Sequence, residues 1–314
     1  MTDHSLSQEK IEQFDRDGFL HLPGQIPMPL LSDLQAATQA AINEVTGFEL
    51  ANEDHAHKRY CHFSYNFARP HITAFYNILH YLGPEMLSLL GCPQVMAIAS
   101  SLSGPSAVNL LDVMMAKIKY SYTHLIWHQD VDRPTVGDYR RIGIGVYLDD
   151  SDPHDGGVLF IPGSHTQPQN CDVFNTEPPE YYAAPVIKAG DILIHDPMTV
   201  HASTIMKKGD LRRTIYLEFR PVEQVLEEEN HLDLARREET LRQRLNLQRL
   251  AADSFEKHYG QGLAGHDAAS HAQDWHGAEI CSPYLDGEMT MAQAYAGDNP
   301  FIPDFYAPDK KGGK

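Results

Sequence analysis

Between residues 107 and 221 the chain breaks into short β-branched and aromatic runs: Val113–Tyr120, Ile142–Leu148, Val158–Pro162, Val186–Lys188, Asp191–His195 and Thr214–Phe219. Gly, Pro, Asp and Asn separate them, the punctuation of strands and turns. None of the gaps carries the ~10–15-residue helical period that a parallel βαβ crossover requires. The segment is therefore expected to fold as an all-β core, closed or in two sheets, and not as a parallel sheet.

Helical texture flanks this core. Ser5-x-x-Gln8 reads as a capping box ahead of Ile11 and Phe14, Gly18 as the helix stop, and Phe19–Leu22 as a short strand closed by Pro23-Gly24. Further helices are expected at about 29–45 and 84–101. Beyond Arg220-Pro221, residues 223 to about 259 are charged and helical, and Leu234, Leu241 and Leu245 predict one buried face. The expected organisation is one domain: helical support at about 7–105, a jelly-roll core at about 107–221, and a helical C-terminal extension at about 222–314. The extension is also a candidate homodimer contact.

A formal net charge of −18 makes nucleic acid and anionic membrane surfaces poor partners. Apolar runs such as Ile142–Leu148 are too short to span a bilayer. The N-terminal residues lack the basic and apolar regions of a secretory signal. Cys61, Cys92, Cys171 and Cys281 are scattered, with no Cys-x-x-Cys pair, which argues against a zinc ribbon or a disulfide framework. Together these features predict a cytoplasmic protein acting on a small molecule.

The segment Trp127-His128-Gln129-Asp130 carries the first chemical signal. On an extended strand alternate side chains share a face, so His128 and Asp130 can hold one metal together. A second segment, Gly190 to Ser203, delivers two further histidines, His195 and His201, after a turn and a buried strand. Two histidines and one carboxylate occupy one face of an octahedron and leave three positions open, the pattern that suits Fe(II). His195 and His201 compete for the third place, and a packed, hydrogen-bonded ring is the plainer expectation for His195. Arg212, eleven residues beyond His201, favours His201. A chelating oxo-dicarboxylic acid would leave a far carboxylate for a guanidinium to grip, with Ser203 completing the clamp. Arg213, next door, should face the opposite way, into solvent.

The ordered set resembles the phytanoyl-CoA dioxygenase family of Fe(II)/2-oxoglutarate oxygenases. It comprises Phe14-x-x-x-Gly18-Phe19-Leu20, His128-x-Asp130, Gly156-Gly157 running to Pro162-Gly163-Ser164-His165, then His201, Ser203 and Arg212. The likeness spans roughly residues 8–220. It implies a double-stranded β-helix, with His128, Asp130 and His201 on Fe(II), and Arg212 and Ser203 on 2-oxoglutarate. Dioxygen is implied as co-substrate, with ascorbate as a helpful additive. The strand before His-x-Asp supplies Met115 and Lys117, by alternation on one face, as further co-substrate contacts. The family's usual Lys-Pro-Gly continuation is missing here: Lys119-Tyr120-Ser121-Tyr122 takes its place. Asp130, where halogenating relatives carry a small residue, points to oxygenation. Trp127, Tyr120, Tyr122, Tyr147 and Phe219 are the candidate pocket walls, with Arg140 or Arg220 near the mouth. The expected reaction is hydroxylation of a C–H bond in a small organic metabolite, releasing succinate and CO2. The rival readings are a cupin-like metal dioxygenase that uses no 2-oxoglutarate and a non-catalytic jelly-roll binding protein.

Overall fold

The computed structural model describes residues 4–46, 61–66, 69–76, 78–82, 84–119, 125–131, 139–227 and 234–260. In chain order the elements are α1 (Gln8–Asp17), β1 (Phe19–Leu22), α2 (Met28–Thr46), β2 (Cys61–Asn66), β3 (Arg69–Tyr76), α3 (Ile78–Tyr81), α4 (Pro84–Leu90) and α5 (Pro93–Ser103). There follow β4 (Ala107–Ile118), β5 (Leu125–His128), β6 (Ile142–Tyr147), β7 (Val158–Phe160), α6 (Asp172–Thr176), β8 (Ile192–His195), β9 (His201–Ser203) and β10 (Leu211–Pro221). Two helices close the series, α7 (Val222–Glu227) and α8 (Leu234–Tyr259).

The strands form two antiparallel sheets, one of seven strands ordered β1-β8-β6-β10-β4-β3-β2 and one of three ordered β5-β9-β7. Phe19 of the large sheet stacks on Phe160 of the small one, ring centroids 4.7 Å apart, so the sheets face each other. This is the double-stranded β-helix, mostly sheet with helices packed outside.

Cross-strand register fixes what each face carries. Ile144 and Val146 of β6, Ile192 and Ile194 of β8, and Ile215, Leu217 and Phe219 of β10 point to the helices and join Phe14, Leu30, Leu34 and Met86 in the main core. Each fully buried aliphatic or aromatic side chain there contributes about 1.5–3 kcal/mol. Phe219 is thus a core residue on the helix side, not a pocket wall, because its parity on β10 is that of Ile215 and Leu217. The opposite face of the large sheet looks into the roll.

Several sequence expectations shift in detail. Ser7, not Ser5, caps α1 and accepts from the Lys10 amide. The helix expected over 84–101 is two, α4 and α5, broken at Gly91-Cys92-Pro93. A Cβ on Gly91 would lie 1.9 Å from the Ala251 carbonyl oxygen, so the bare glycine lets α8 seat its backbone against the break. Val186–Lys188 supplies only a bridge, Ser151 to Ile187. On α8, Leu241 is buried, whereas Leu234 and Leu245 are exposed. The buried side runs instead through Arg244, Leu247, Gln248, Ala251 and Phe255. No single described helix is long and apolar enough to cross a membrane.

Candidate metal centre

β5 and β9 lie side by side in the small sheet, with His128 paired to His201. The loop after β5 brings Asp130 back over them and is pinned by the Asp130 amide donating to the Pro197 carbonyl at 2.8 Å. Gln129, pointing the other way, accepts from the Gln169 amide at 2.8 Å. β5 ends at His128, so it is this loop, and not alternation along the strand, that puts Asp130 beside the two rings. The ligand atoms of His128, Asp130 and His201 lie within 4.8 Å of one another.

Each imidazole is oriented through its other nitrogen. Nδ1 of His128 lies 2.7 Å from the Ile126 carbonyl, and Nδ1 of His201 lies 2.9 Å from that of Thr199. A carbonyl only accepts, so each Nδ1 donates and each Nε2 is turned toward Asp130; burial would lower His128, but the Asp130 carboxylate beside it holds it above its usual value. Burial, helped by neighbouring His128, pushes His201 down to about 3, so its ring is neutral at physiological pH and ready to coordinate. Burial alone would raise the Asp130 carboxyl, but the histidines around it, His201 first and then His128 and His195, hold it well below the usual range. The Pro-Gly-Ser-His turn supports the arrangement from behind: Ser164 Oγ accepts from the Val200 amide at 2.8 Å, just before β9 begins.

His195 ends β8 with its ring against Asp130 at 3.0 Å, behind the carboxylate rather than among the three converging ligand atoms. It is the hydrogen-bonded alternative expected from the sequence.

A second polar centre lies deeper on the inner face of the large sheet. There Arg212 pairs across the strands with Lys117, and Thr214 with Met115 and Tyr147. Arg212 and Lys117 are both buried. One Arg212 nitrogen donates to the Gly156 carbonyl at 2.6 Å, and the guanidinium sits 5.8 Å above the Tyr147 ring. Lys117 Nζ donates to Ser203 Oγ at 2.8 Å and to the Thr204 carbonyl at 2.9 Å. Burial first, then the neighbouring Arg212 charge, pushes Lys117 down to about 6. The buried Arg212 Nε and Thr214 hydroxyl have no hydrogen-bond partner among the described residues. A buried guanidinium, an adjacent buried amine that can take up a proton, and two idle donors are what a carboxylate would satisfy.

Arg213 takes the opposite side but does not reach solvent. It is buried beneath α2, paired with Asp149 through two nitrogens and donating to the Gln35 carbonyl and Thr38 hydroxyl. Arg140 is drawn away from the pocket by an ion pair with Asp15 of α1 and lies over the Phe14 ring. Arg220 is buried on Glu218, which also binds Arg141. Tyr147 is fully buried under Arg212, so it belongs to the Arg212–Lys117 row and not to an open wall. Trp127 flanks the metal group, its ring 6.0 Å from Tyr182 and its backbone held on both sides by Asn175. Tyr120 and Tyr122 lie outside the described residues. The sequence reading missed Thr214 and the tie between Lys117 and Ser203. Parity on β10, which puts Thr214 on Arg212's face, could have found the first.

A family model described as phytanoyl-CoA dioxygenase matches residues 14–214. The chain belongs to the phytanoyl-CoA dioxygenase family. The family's general reaction type is oxygenation dependent on iron and 2-oxoglutarate. No curated protein matches the chain. Among solved structures, AviO1 from Streptomyces viridochromogenes Tue57 is 26% identical over 67% of this chain and 93% of its own, with a TM-score of 0.57. EctD from S. alaskensis, crystallised with bound Fe, is 21% identical over 76% of this chain and 86% of its own, TM-score 0.58. HygX from Streptomyces hygroscopicus, crystallised with nickel and 2-oxoglutarate, is 16% identical over 69% and 88%, TM-score 0.54. The double-stranded β-helix of this family member is shared with all three.

Proposed function

We propose that this chain hydroxylates a C–H bond of a small organic metabolite, using Fe(II) held by His128, Asp130 and His201 and 2-oxoglutarate held at its far carboxylate by Arg212, Lys117 and Ser203. One observation carries the reading: three converging ligand atoms share the inside of the roll with a buried guanidinium, a buried lysine amine and idle donors. Two neutral imidazoles and a carboxylate fit a ferrous ion and leave coordination positions for a chelating oxo acid. Family membership, and the iron and 2-oxoglutarate in EctD and HygX crystals, point the same way.

When bound, the metal and co-substrate supply the oxidation: dioxygen and 2-oxoglutarate become succinate, CO2 and one oxygen atom inserted into the substrate C–H bond. The protein's own groups do the rest. Asp130 stays anionic, the His201 ring stays neutral, and both ligand rings are already oriented through their Nδ1 bonds, so the donor set is arranged before metal arrives. Arg212 and Lys117 neutralise the far carboxylate and align the oxo acid between the sheets. Phe19 and Phe160 stack beside the His201 ring and keep water from its flank.

The test is a metabolite panel incubated under air with Fe(II) and 2-oxoglutarate and scored for succinate. Succinate release that depends on one panel member, and that disappears in His128→Ala, is the expected result. Dioxygen uptake without succinate would make the chain a metal dioxygenase of another kind. Absence of any metal or oxo-acid effect would make it a binding protein.

A further inference from the structure

The inference rests on the metal reading above and concerns Asp130. A carboxylate can hold a metal through one oxygen or both, and the second mode consumes one more coordination position. Here the two oxygens are already distinguished. Oδ1 faces both ligand rings, 3.5 Å from His128 Nε2 and 3.7 Å from His201 Nε2. Oδ2 is turned away to His195 Nε2, 3.0 Å distant. An ionised carboxylate only accepts, so His195 donates to it through Nε2, the nitrogen that the two ligand rings turn toward the metal position.

The fold reserves the room for this ring. His195 pairs with Phe19 on one side and Gly143 on the other. A Cβ on Gly143 would stand 2.9 Å from His195 Cε1, so any larger residue there would push the ring off its position. Tyr216 meets the ring edge-on at 6.3 Å, and His201 lies 5.1 Å from it. The ring is therefore wedged between a glycine, a tyrosine and a ligand histidine, with one polar contact on the metal side. Neither the His-x-Asp motif nor the distal histidine specifies this group.

We infer that His195 is a positioning residue that locks Asp130 into one-oxygen coordination and so keeps a place open at the metal for co-substrate or dioxygen. Removing a hydrogen-bonding partner of a metal ligand typically costs roughly 10- to 100-fold in metal affinity. His195→Phe keeps the ring volume and deletes the donor. His195→Gln keeps an N–H in reach of Oδ2 and deletes the ring.

The experiment titrates metal-free wild type, His195→Phe and His195→Gln with Co(II) alone, following the cobalt absorption bands, after thermal melts have shown that all three fold. The expected result is binding weaker by about 10- to 100-fold in His195→Phe with a changed band pattern, and recovery of most of both in His195→Gln. Binding and spectrum in His195→Phe equal to wild type would overturn the inference. So would equal weakening in the two variants, which would make the ring a spacer only. Wild type that fails to bind Co(II) would instead overturn the metal reading itself, and this proposal with it.

Discussion

Arg212 and Arg213 are neighbours with opposite duties. Arg212 lies in the roll beside Lys117, whereas Arg213 is locked under α2 by Asp149, Gln35 and Thr38. Truncating a charge that meets a buried partner costs about 2–5 kcal/mol, so Arg212→Ala should raise the KM for 2-oxoglutarate roughly 30-fold or more with little change in melting. Arg213→Ala should do the reverse. It leaves Asp149 unpaired under the helix, with about 3–5 kcal/mol lost in denaturant unfolding and KM almost unchanged. Steady-state assays and urea melts on the two variants separate the roles, and the opposite pattern would exchange them. Lys117 adds a pH dependence of definite sign. Its amine, pushed down to about 6, is uncharged at pH 7.5 in the free protein. A carboxylate arriving beside it favours the ammonium form, so binding takes up a proton. Affinity for 2-oxoglutarate should tighten as pH falls from 8 towards 6, by up to ~10-fold per unit, and level off below. Calorimetry in buffers of different ionisation heat would detect the uptake, and Lys117→Met should abolish it. Alternation along β10 revealed from sequence that the two arginines part. That Arg213 ends in an ion pair and not in solvent was hidden, because Asp149 lies 64 positions away along the chain.

At the scale of elements, legibility followed locality. The runs of β4, β6, β8 and β10 alternate or are wholly apolar, so local pattern suffices to find them. β2 and β3 went unrecognised because a segment such as Cys61-His62-Phe63-Ser64-Tyr65-Asn66 gains its strand character from pairing at the edge of the large sheet. Phe219 was misplaced for a related reason: period-two parity says which residues share a face but not which face meets the helices. In α8 the leucine stripe misled because the helix is held by polar groups. Arg244, 2% exposed, donates to Asp112 at 2.9 Å, and Gln248 accepts from the Asn109 amide at 2.7 Å. Asp112 also accepts from the Leu79 amide and so ties α3, β4 and α8 together. Removing one partner of a buried pair leaves an uncompensated charge, so Asp112→Ala should lose about 3–5 kcal/mol. Replacing the pair by Asp112→Leu with Arg244→Met should recover much of that loss. Urea melts of the single and double variants decide it. A single variant within 1 kcal/mol of wild type would mean that water reaches Arg244 and that α8 is only loosely docked.

For the whole molecule, the placement of the two centres couples binding to the meeting of the sheets. His128 and His201 belong to the small sheet, while Lys117 and Arg212 belong to the large one. They touch across the roll through the Phe19–Phe160 stack and the bond from Lys117 to Ser203. A metal alone ties together β5, β9 and the loop bearing Asp130, all within or next to the small sheet. A dicarboxylic acid anchored at Arg212 and chelating that metal would span both sheets. Its effect on stability should therefore depend on the metal beyond simple addition. At 100 times Kd a ligand specific for the native state stabilises by about 2.7 kcal/mol, and each kcal/mol raises Tm by roughly 2–4 °C in a protein of this size class. In oxygen-free buffer, 2-oxoglutarate with Fe(II) should raise Tm by about 5–10 °C, more than the sum of the separate shifts. Asp130→Ala should lose the metal-dependent part and keep the small shift from the oxo acid alone, since Arg212 and Lys117 are intact. Arg212→Ala should keep the metal shift and lose the excess. Shifts that merely add in the wild type would mean that the two ligands occupy the roll independently and that no single molecule bridges its sheets.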